Sequence, residues 1–249
     1  KHSLFNIMAA VLDAGDELLV GAPYWVSYTD MALLCDAVPV VIQAGQEQGF
    51  KITPEQLEAA ITPKTKLFII NSPSNPTGVA YSREELQALG EVLKRHPQVL
   101  IVTDDIYEHI LWTEEPFVNI VNACPELYDR TIVVNGVSKA YAMTGWRIGY
   151  AAGPQKVIAA MNKIQGQSTS NPTSVAQAAA VAALNGDQGV IGPMRKAFKE
   201  RHDYVVERLN AMRGVSCLKA QGTFYAFPDM RQAIKNLGLE NDVALAEHF

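Results

Sequence analysis

Five apolar runs of strand length, separated by segments with helical patterns, constrain the fold more than any other feature of this chain. The runs occupy residues 17–20, 38–42, 66–70, 99–103 and 131–135. They are nearly continuous in Val, Ile and Leu, which is typical of strands buried on both faces of a parallel sheet. We therefore predict an α/β fold, a mainly parallel sheet between helices, that binds ligands at the carboxyl ends of its strands.

Helix start signals lie between these runs. Thr53 followed by Pro54 is a cap residue with proline in the first turn, and Ser82 with Glu85 forms a capping box. Apolar residues at helical spacing predict a further helix before Gly15. Parallel strands need such crossover connections, so the helix signals agree with the sheet prediction.

The pattern changes after Gly153. Helical character runs through residues 156–183 and 193–212, and two short strands are predicted at residues 215–219 and 223–227. These elements indicate a second unit that is smaller than the first and mixes helices with strands.

We accordingly divide the chain into a large domain, residues 1–189, and part of a smaller α+β domain, residues 190–249. The first residue is Lys1 rather than methionine, and residues 242–249 have the pattern of a helix that stops mid-course. We expect a chain truncated at both ends, with both domains incomplete.

The composition excludes several classes of function. The 249 residues are 48% hydrophobic, enough for a substantial core, and the net charge of −5 with dispersed basic residues gives no footprint for nucleic acid. No apolar stretch approaches the roughly 20 residues that span a membrane. The three cysteines and five histidines lack metal-ligand spacing, so no metal is predicted. We expect a cytoplasmic protein that acts on small molecules.

Lys139 and Arg147 lie in one motif directly after the fifth apolar run. A primary amine can form a Schiff base with an aldehyde, and a guanidinium can hold a phosphate through two parallel hydrogen bonds. Pyridoxal 5′-phosphate carries both groups. Taken alone, such a pair is more often solvated surface than a catalytic site.

Polar motifs also end the third and fourth runs. Asp104 could keep a pyridine nitrogen protonated, although it could equally cap a helix. Asn75 and Tyr107 can donate hydrogen bonds to a ring oxygen, but an Asn-Pro pair is also a turn and a tyrosine often only packs. Trp25 offers a flat face for stacking, although a tryptophan after a strand is usually part of the core.

Three motifs now stand in order along the chain: Asn-Pro-Thr-Gly at residues 75–78, Asp-x-x-Tyr at 104–107, and Ser-Lys followed by Thr-Gly-Trp-Arg-x-Gly-Tyr at 138–150. Together they resemble the fold-type I pyridoxal-phosphate aminotransferases of class I/II, most closely the bacterial aspartate aminotransferases of the Iβ subgroup. The segment around Trp25 indicates that subgroup.

The resemblance implies a role for each candidate residue. Lys139 would be the Schiff-base lysine and the base that moves a proton, with Arg147 on the cofactor phosphate. Asp104 would pair with the pyridine nitrogen, and Asn75 and Tyr107 would hold the ring oxygen.

Two further residues complete the implied site. Trp25 would stack on the ring and, like Asn75, contact the substrate. Lys1 matches the lysine of the family's phosphate-binding turn.

Three departures from the family pattern qualify these roles. Asp105 stands where the family usually has glutamate, and Gly136 stands where many relatives have a phosphate-binding serine. The family's arginine for the substrate α-carboxylate would lie beyond Phe249, and its N-terminal arm before Lys1. We therefore expect weak or absent turnover from this chain alone.

The leading hypothesis is amino transfer between aspartate and 2-oxoglutarate by a ping-pong mechanism, in a protein that is a homodimer at full length. Prephenate, aromatic amino acids and alanine stay open as substrates, as does a lyase on the same scaffold. From another class, an aminotransferase-like sensor domain of a transcription regulator remains an alternative.

Overall fold

A computed structural model describes residues 1–249, and its centre is a six-stranded sheet. The strands are β1 Glu17–Ala22, β2 Val38–Gln43, β3 Thr65–Asn71, β4 Leu100–Asp104, β5 Thr131–Gly136 and β6 Gly149–Ala152. Their order in the sheet is β2-β1-β3-β4-β5-β6. The first five strands are parallel, and β6 pairs antiparallel with β5. The predicted mainly parallel α/β fold is confirmed, whereas the antiparallel edge strand was not predicted.

Ten helices surround or follow the sheet. They are α1 His2–Val11, α2 Ser27–Leu33, α3 Pro54–Ala60, α4 Arg83–Arg95, α5 Ile120–Ala123, α6 Gln155–Ser168, α7 Ser174–Asn185, α8 Ile191–Asn210, α9 Arg231–Leu237 and α10 Asp242–His248. A separate two-stranded ladder pairs β7 Ser216–Cys217 with β8 Pro228–Asp229. No helix combines the length and the apolar character needed to cross a membrane.

Both predicted helix starts are present and hydrogen-bonded as capping boxes. The Ser82 hydroxyl accepts from the backbone N–H of Glu85, and the Glu85 carboxylate accepts from the backbone N–H of Ser82. Thr53 and Gln56 form the equivalent pair at α3. Each box satisfies two of the backbone donors that a helix start otherwise leaves unpaired.

The core lies on both faces of the sheet, which explains the continuous apolar runs. On one face, Leu19 and Phe68 pack with Leu89 of α4. On the other face, Leu18 and Leu67 pack with residues of α1 and α6. Neighbouring residues of a strand point to opposite faces, so a strand covered on both sides must be apolar at every position.

Two sequence predictions in the second half are wrong. The helical stretch 156–183 is broken into α6 and α7 by residues 169–173, where Ser170 has a φ of 65° and Pro172 lacks a backbone donor. The strand predicted at 223–227 is absent, because its start hydrogen-bonds to a loop of the large sheet instead of joining a ladder.

The sheet topology places a crevice at the carboxyl ends of the strands. Because β2 and β3 lie on opposite sides of β1, connections that leave this edge run in opposite directions, as at the ligand-binding point of doubly wound sheets. Asn71 and Asp104 end β3 and β4 as register partners. Polar side chains from neighbouring strands therefore meet at one edge.

Candidate active site

A cavity of about 970 Å³ opens at the carboxyl edge of the sheet. Its volume is in the range of sites that take small molecules and cofactors. All seven residues singled out in the sequence line it: Lys1, Trp25, Asn75, Asp104, Tyr107, Lys139 and Arg147. They come from five segments of the chain, so the fold brings together residues that the sequence keeps apart.

Asp104 is a buried carboxylate at the end of β4. The Tyr28 hydroxyl donates a hydrogen bond of 2.8 Å to Asp104 Oδ2. Burial raises the pKa of Asp104, and the hydrogen bond from Tyr28 opposes that rise. A cationic N–H donor that entered the cavity would stabilise the ionised form, as a protonated pyridine nitrogen does.

Lys139 is half-buried and follows β5. Its Nζ lies 5.9 Å from the centre of the Tyr107 ring and 5.2 Å from the centre of the Phe224 ring. No carboxylate lies within salt-bridge distance of this ammonium. Burial, and then the nearby Arg147 cation, lower the pKa of Lys139. A larger share of neutral amine favours nucleophilic attack on an aldehyde.

Positively charged groups line part of the cavity. Arg147 adopts a left-handed backbone with φ of 53°, and its Nη1 donates to the Thr144 carbonyl at 2.7 Å. Its side chain is otherwise exposed and free to bind an anion. The N-terminus of α1 also lines the cavity, and a helix start attracts anions through its unpaired N–H groups. Lys1, the cap residue of α1, adds a further cation.

Gly136 and Gly149 face each other where β5 meets β6. A Cβ built on Gly136 would lie 3.1 Å from Gly149 Cα and 3.2 Å from the Ile148 carbonyl oxygen. The close approach of the two strands leaves little room for a side chain at residue 136. Residue 136 therefore offers no side-chain hydroxyl to the cavity, whereas Arg147 and Lys1 offer cationic groups.

The Trp25 ring contacts two other residues of the site. It packs edge-on against Tyr28, with ring centres 5.4 Å apart, and Lys1 Nζ lies 4.9 Å from the Trp25 ring centre. The first contact fixes the tryptophan, and the second places the Lys1 cation next to an aromatic face.

The Asn71 side chain connects two of the polar motifs, a role that sequence reasoning missed. Its Nδ2 donates to the Asp104 carbonyl oxygen at 2.7 Å, and its Oδ1 accepts from the backbone N–H of Asn75 at 2.8 Å. The available signal was an asparagine at a strand end, four residues before Asn75.

Two tyrosines were also missed. Tyr28 stands three residues after Trp25, a short spacing that could have pointed to it. The hydroxyl oxygens of Tyr225 and Tyr107 lie 2.7 Å apart, although the two residues are 118 positions apart in the sequence. No local sequence pattern indicates such a contact. Burial raises the pKa of Tyr107, which therefore keeps its proton at neutral pH.

The structure is thus an α/β protein whose mainly parallel sheet carries an amine, a buried carboxylate and a guanidinium in one cavity at its carboxyl edge. The family described as aminotransferase class I and II matches residues 1–248. The chain belongs to that family, whose members use pyridoxal phosphate, act on amino and oxo acids and are generally dimeric. The family inferred from the motifs is thereby confirmed.

Individual relatives agree with this assignment. The aspartate/prephenate aminotransferase of Nitrosomonas europaea is 58% identical over 240 residues, which are 96% of this chain and 60% of that protein. The aspartate aminotransferase of Geobacillus stearothermophilus is 50% identical over 238 residues, with the same two shares. The crystal structure of the aspartate aminotransferase of Rhizobium meliloti superposes with a TM-score of 0.91 at 49% identity, covering 93% of this chain and 58% of that one. The chain thus spans about 60% of the length of the curated relatives it matches.

Proposed function

We propose that this protein is a pyridoxal-phosphate-dependent aminotransferase that moves the amino group of aspartate to 2-oxoglutarate in a ping-pong cycle. The observation that carries the proposal is the meeting of three groups in one cavity. A half-buried lysine without an acidic partner, a buried aspartate and an exposed arginine are the groups that this cofactor needs. Aspartate is chosen as the substrate because the relatives are named as aspartate/prephenate and aspartate aminotransferases.

The donor set fits the cofactor on observations of the site itself. The Asp104 carboxylate is buried with a single side-chain donor, so a cationic ring nitrogen would relieve the cost of its burial. Tyr107 keeps its proton and can donate to a ring oxygen, and the Asn75 side chain lines the same cavity. Arg147 and Lys1 would bind the phosphate dianion.

When bound, pyridoxal phosphate supplies an aldehyde that reacts with amines and a protonated ring that accepts electrons as a substrate Cα–H bond breaks. The protein provides the remaining parts. Lys139 would hold the cofactor covalently and then, with its amine released, move a proton from substrate Cα to the former aldehyde carbon of the cofactor, and in the opposite direction in the second half of the cycle. Asp104 would keep the ring nitrogen protonated, and Trp25 would restrict the ring to one plane.

Prephenate is the second amino-group acceptor to consider, because the Nitrosomonas relative is named an aspartate/prephenate aminotransferase. We propose to compare amino transfer from aspartate to 2-oxoglutarate and to prephenate in the same assay.

The relatives reported above are named as enzymes, which favours catalysis over the sensor-domain alternative. The three cysteines are free thiols, which fits a reducing cytoplasm.

We also propose a homodimer, because α7 presents apolar side chains that nothing covers. The helix consists mainly of alanine, valine and leucine, yet only Ala176 and Ala180 are buried. A helix that is apolar all round is normally buried. Residues 169–173, just before α7, include residues that line the cavity, so a second copy seated on α7 would lie beside the site.

The dimer is tested by light scattering after size-exclusion chromatography. Val181→Glu on α7 should halve the mass of the particle, because a charge would be buried in the interface. Val243→Glu on α10, at an equally exposed valine, is the matched control and should leave the mass unchanged. A monomeric unaltered chain would refute the dimer.

The cofactor site is tested by mixing the chain with pyridoxal phosphate, recording the visible absorption, reducing with borohydride and mapping the labelled peptide. We expect a new absorption band and label on Lys139. Lys139→Ala should lose both, whereas Lys163→Ala, at an exposed lysine of α6, should keep both. Label spread over exposed lysines, or no band, would contradict the assignment of Lys139.

A further inference from the structure

Residues 220–225, called here the bridging segment, connect the two loops that carry Asn75 and Tyr107. The backbone N–H of Gly222 donates to the Gly78 carbonyl oxygen at 3.0 Å, in the loop after β3. The backbone N–H of Thr223 donates to the Ile110 carbonyl oxygen at 2.8 Å, in the loop after β4. One short segment from the C-terminal part of the chain is therefore bound to both loops.

Two glycines allow this close approach. A Cβ on Gly222 would lie 2.5 Å from the Ile110 carbonyl oxygen, and a Cβ on Gly78 would lie 2.7 Å from Ala220 Cβ. Gly78 also has a φ of 72°, a left-handed conformation that disfavours other residues. This close packing fixes the position of the bridging segment, and in that position the Tyr225 side chain lines the cavity.

The bridging segment ends in an aromatic cluster around Lys139. The rings of Phe224 and Tyr225 lie 5.6 and 5.8 Å from the Tyr107 ring, both in edge-on geometry. The two phenol oxygens of Tyr107 and Tyr225 are 2.7 Å apart, so one donates its proton to the other. Tyr225 itself lines the cavity.

The direction of this hydrogen bond decides what Tyr107 can do. Each phenol has one proton and can also accept. If Tyr225 donates to Tyr107, the Tyr107 proton is left free to point into the cavity. A phenol that accepts one hydrogen bond also donates a stronger one, because successive hydrogen bonds polarise one another.

We propose that Tyr225 is a positioning residue that donates its phenolic proton to Tyr107 and thereby directs the Tyr107 O–H at the ring oxygen of the cofactor. The inference rests on the proposed function and adds to it a residue that acts only through Tyr107. It makes the bridging segment part of the cofactor site, although Tyr225 is 118 positions away from Tyr107.

The test uses Tyr225→Phe in the chain loaded with pyridoxal phosphate and follows the visible absorption against pH. A weaker Tyr107 donor makes the ring oxygen more basic, so it keeps a shared proton to higher pH. We expect the midpoint of the spectral change to rise by roughly 0.5 to 1 pH unit and the cofactor dissociation constant to rise about two- to tenfold. Tyr204→Phe, at a tyrosine of α8 that is 64% exposed, is the control and should change neither.

A double-mutant cycle separates action through Tyr107 from direct action on the cofactor. In a Tyr107→Phe background, the further change Tyr225→Phe should leave the midpoint unmoved, because the Tyr107 oxygen through which Tyr225 acts is no longer present. Midpoint shifts that add in the double variant would overturn the proposal, as would a Tyr225→Phe variant with the original midpoint. No absorption band in the unaltered chain would refute the proposed function and this inference together, whereas a band with an unmoved midpoint refutes only the inference.

Discussion

Asp105 should make the stability of this protein depend on pH, and Asp105→Asn should remove much of that dependence. The side chain is 1% exposed and accepts hydrogen bonds from the Thr103 hydroxyl at 2.5 Å and from Asn119 Nδ2 at 2.7 Å. Burial raises its pKa to about 7, and the charges of Asp104 and Glu108 act in the same direction, against the two hydrogen bonds.

The size and sign of the effect follow from the pKa. The folded protein holds the Asp105 proton from pH about 4, where an unfolded aspartate releases it, up to pH about 7. Across this window the folded state binds more protons than the unfolded state, so the free energy of unfolding falls as pH rises. Three pH units at 1.36 kcal/mol each give an upper bound of about 4 kcal/mol.

The assay is urea unfolding of Asp105→Asn and of the unaltered chain between pH 4 and pH 8. Asparagine resembles the protonated acid, so the two should be equally stable near pH 4. Towards pH 8 the free energy of unfolding of the variant should exceed that of the unaltered chain by about 2 to 4 kcal/mol. Asp13→Asn, at an exposed aspartate, is the matched control and should show no such trend. A difference between Asp105→Asn and the unaltered chain that stays constant over this range would refute the reasoning.

Three further substitutions test other parts of the structure, each by urea unfolding. Tyr28→Phe should cost about 1 to 3 kcal/mol, because it removes the one side-chain donor to the buried Asp104 carboxyl. Gly78→Ala should cost at least about 2 kcal/mol and weaken cofactor binding, because it combines a left-handed backbone with a clash against the bridging segment. Ser82→Ala should cost about 1 kcal/mol through the loss of the α4 cap, with cofactor binding unchanged.

The sheet and most of its helices could be predicted because their signals are local. A strand covered on both faces must be apolar throughout, and a helix start needs a side-chain acceptor such as Ser82 or Thr53. Six of the seven candidate site residues were accessible for a related reason, because each lies at or after the end of a parallel strand, whereas Lys1 precedes β1 and was identified only through the family resemblance. Parallel strands end at one edge, so motifs that follow such strands are brought together by the topology alone, and all seven line one cavity.

The parts that escaped prediction depend on contacts between distant segments. Strand β6 pairs with β5 where Gly149 approaches Gly136 closely. Glycine is not typical of strands, so these two positions gave no strand signal in the sequence. Residues 223–227 have strand composition, yet Thr223 has a φ of 66° and hydrogen-bonds to Ile110. Local propensity was overridden there by a tertiary contact, which is the usual limit of β propensity.

The predicted boundary between residues 189 and 190 stays a prediction, and the bridging segment bears on what such a boundary would mean. Residues 220–225 fall in the predicted smaller domain, but their backbone hydrogen bonds go to the loops after β3 and β4. A smaller domain that moved against the large one would have to break these bonds or carry both loops with it. Because the loops hold Asn75 and Tyr107, closure of such a domain would be transmitted directly to the two donors proposed for the cofactor ring oxygen.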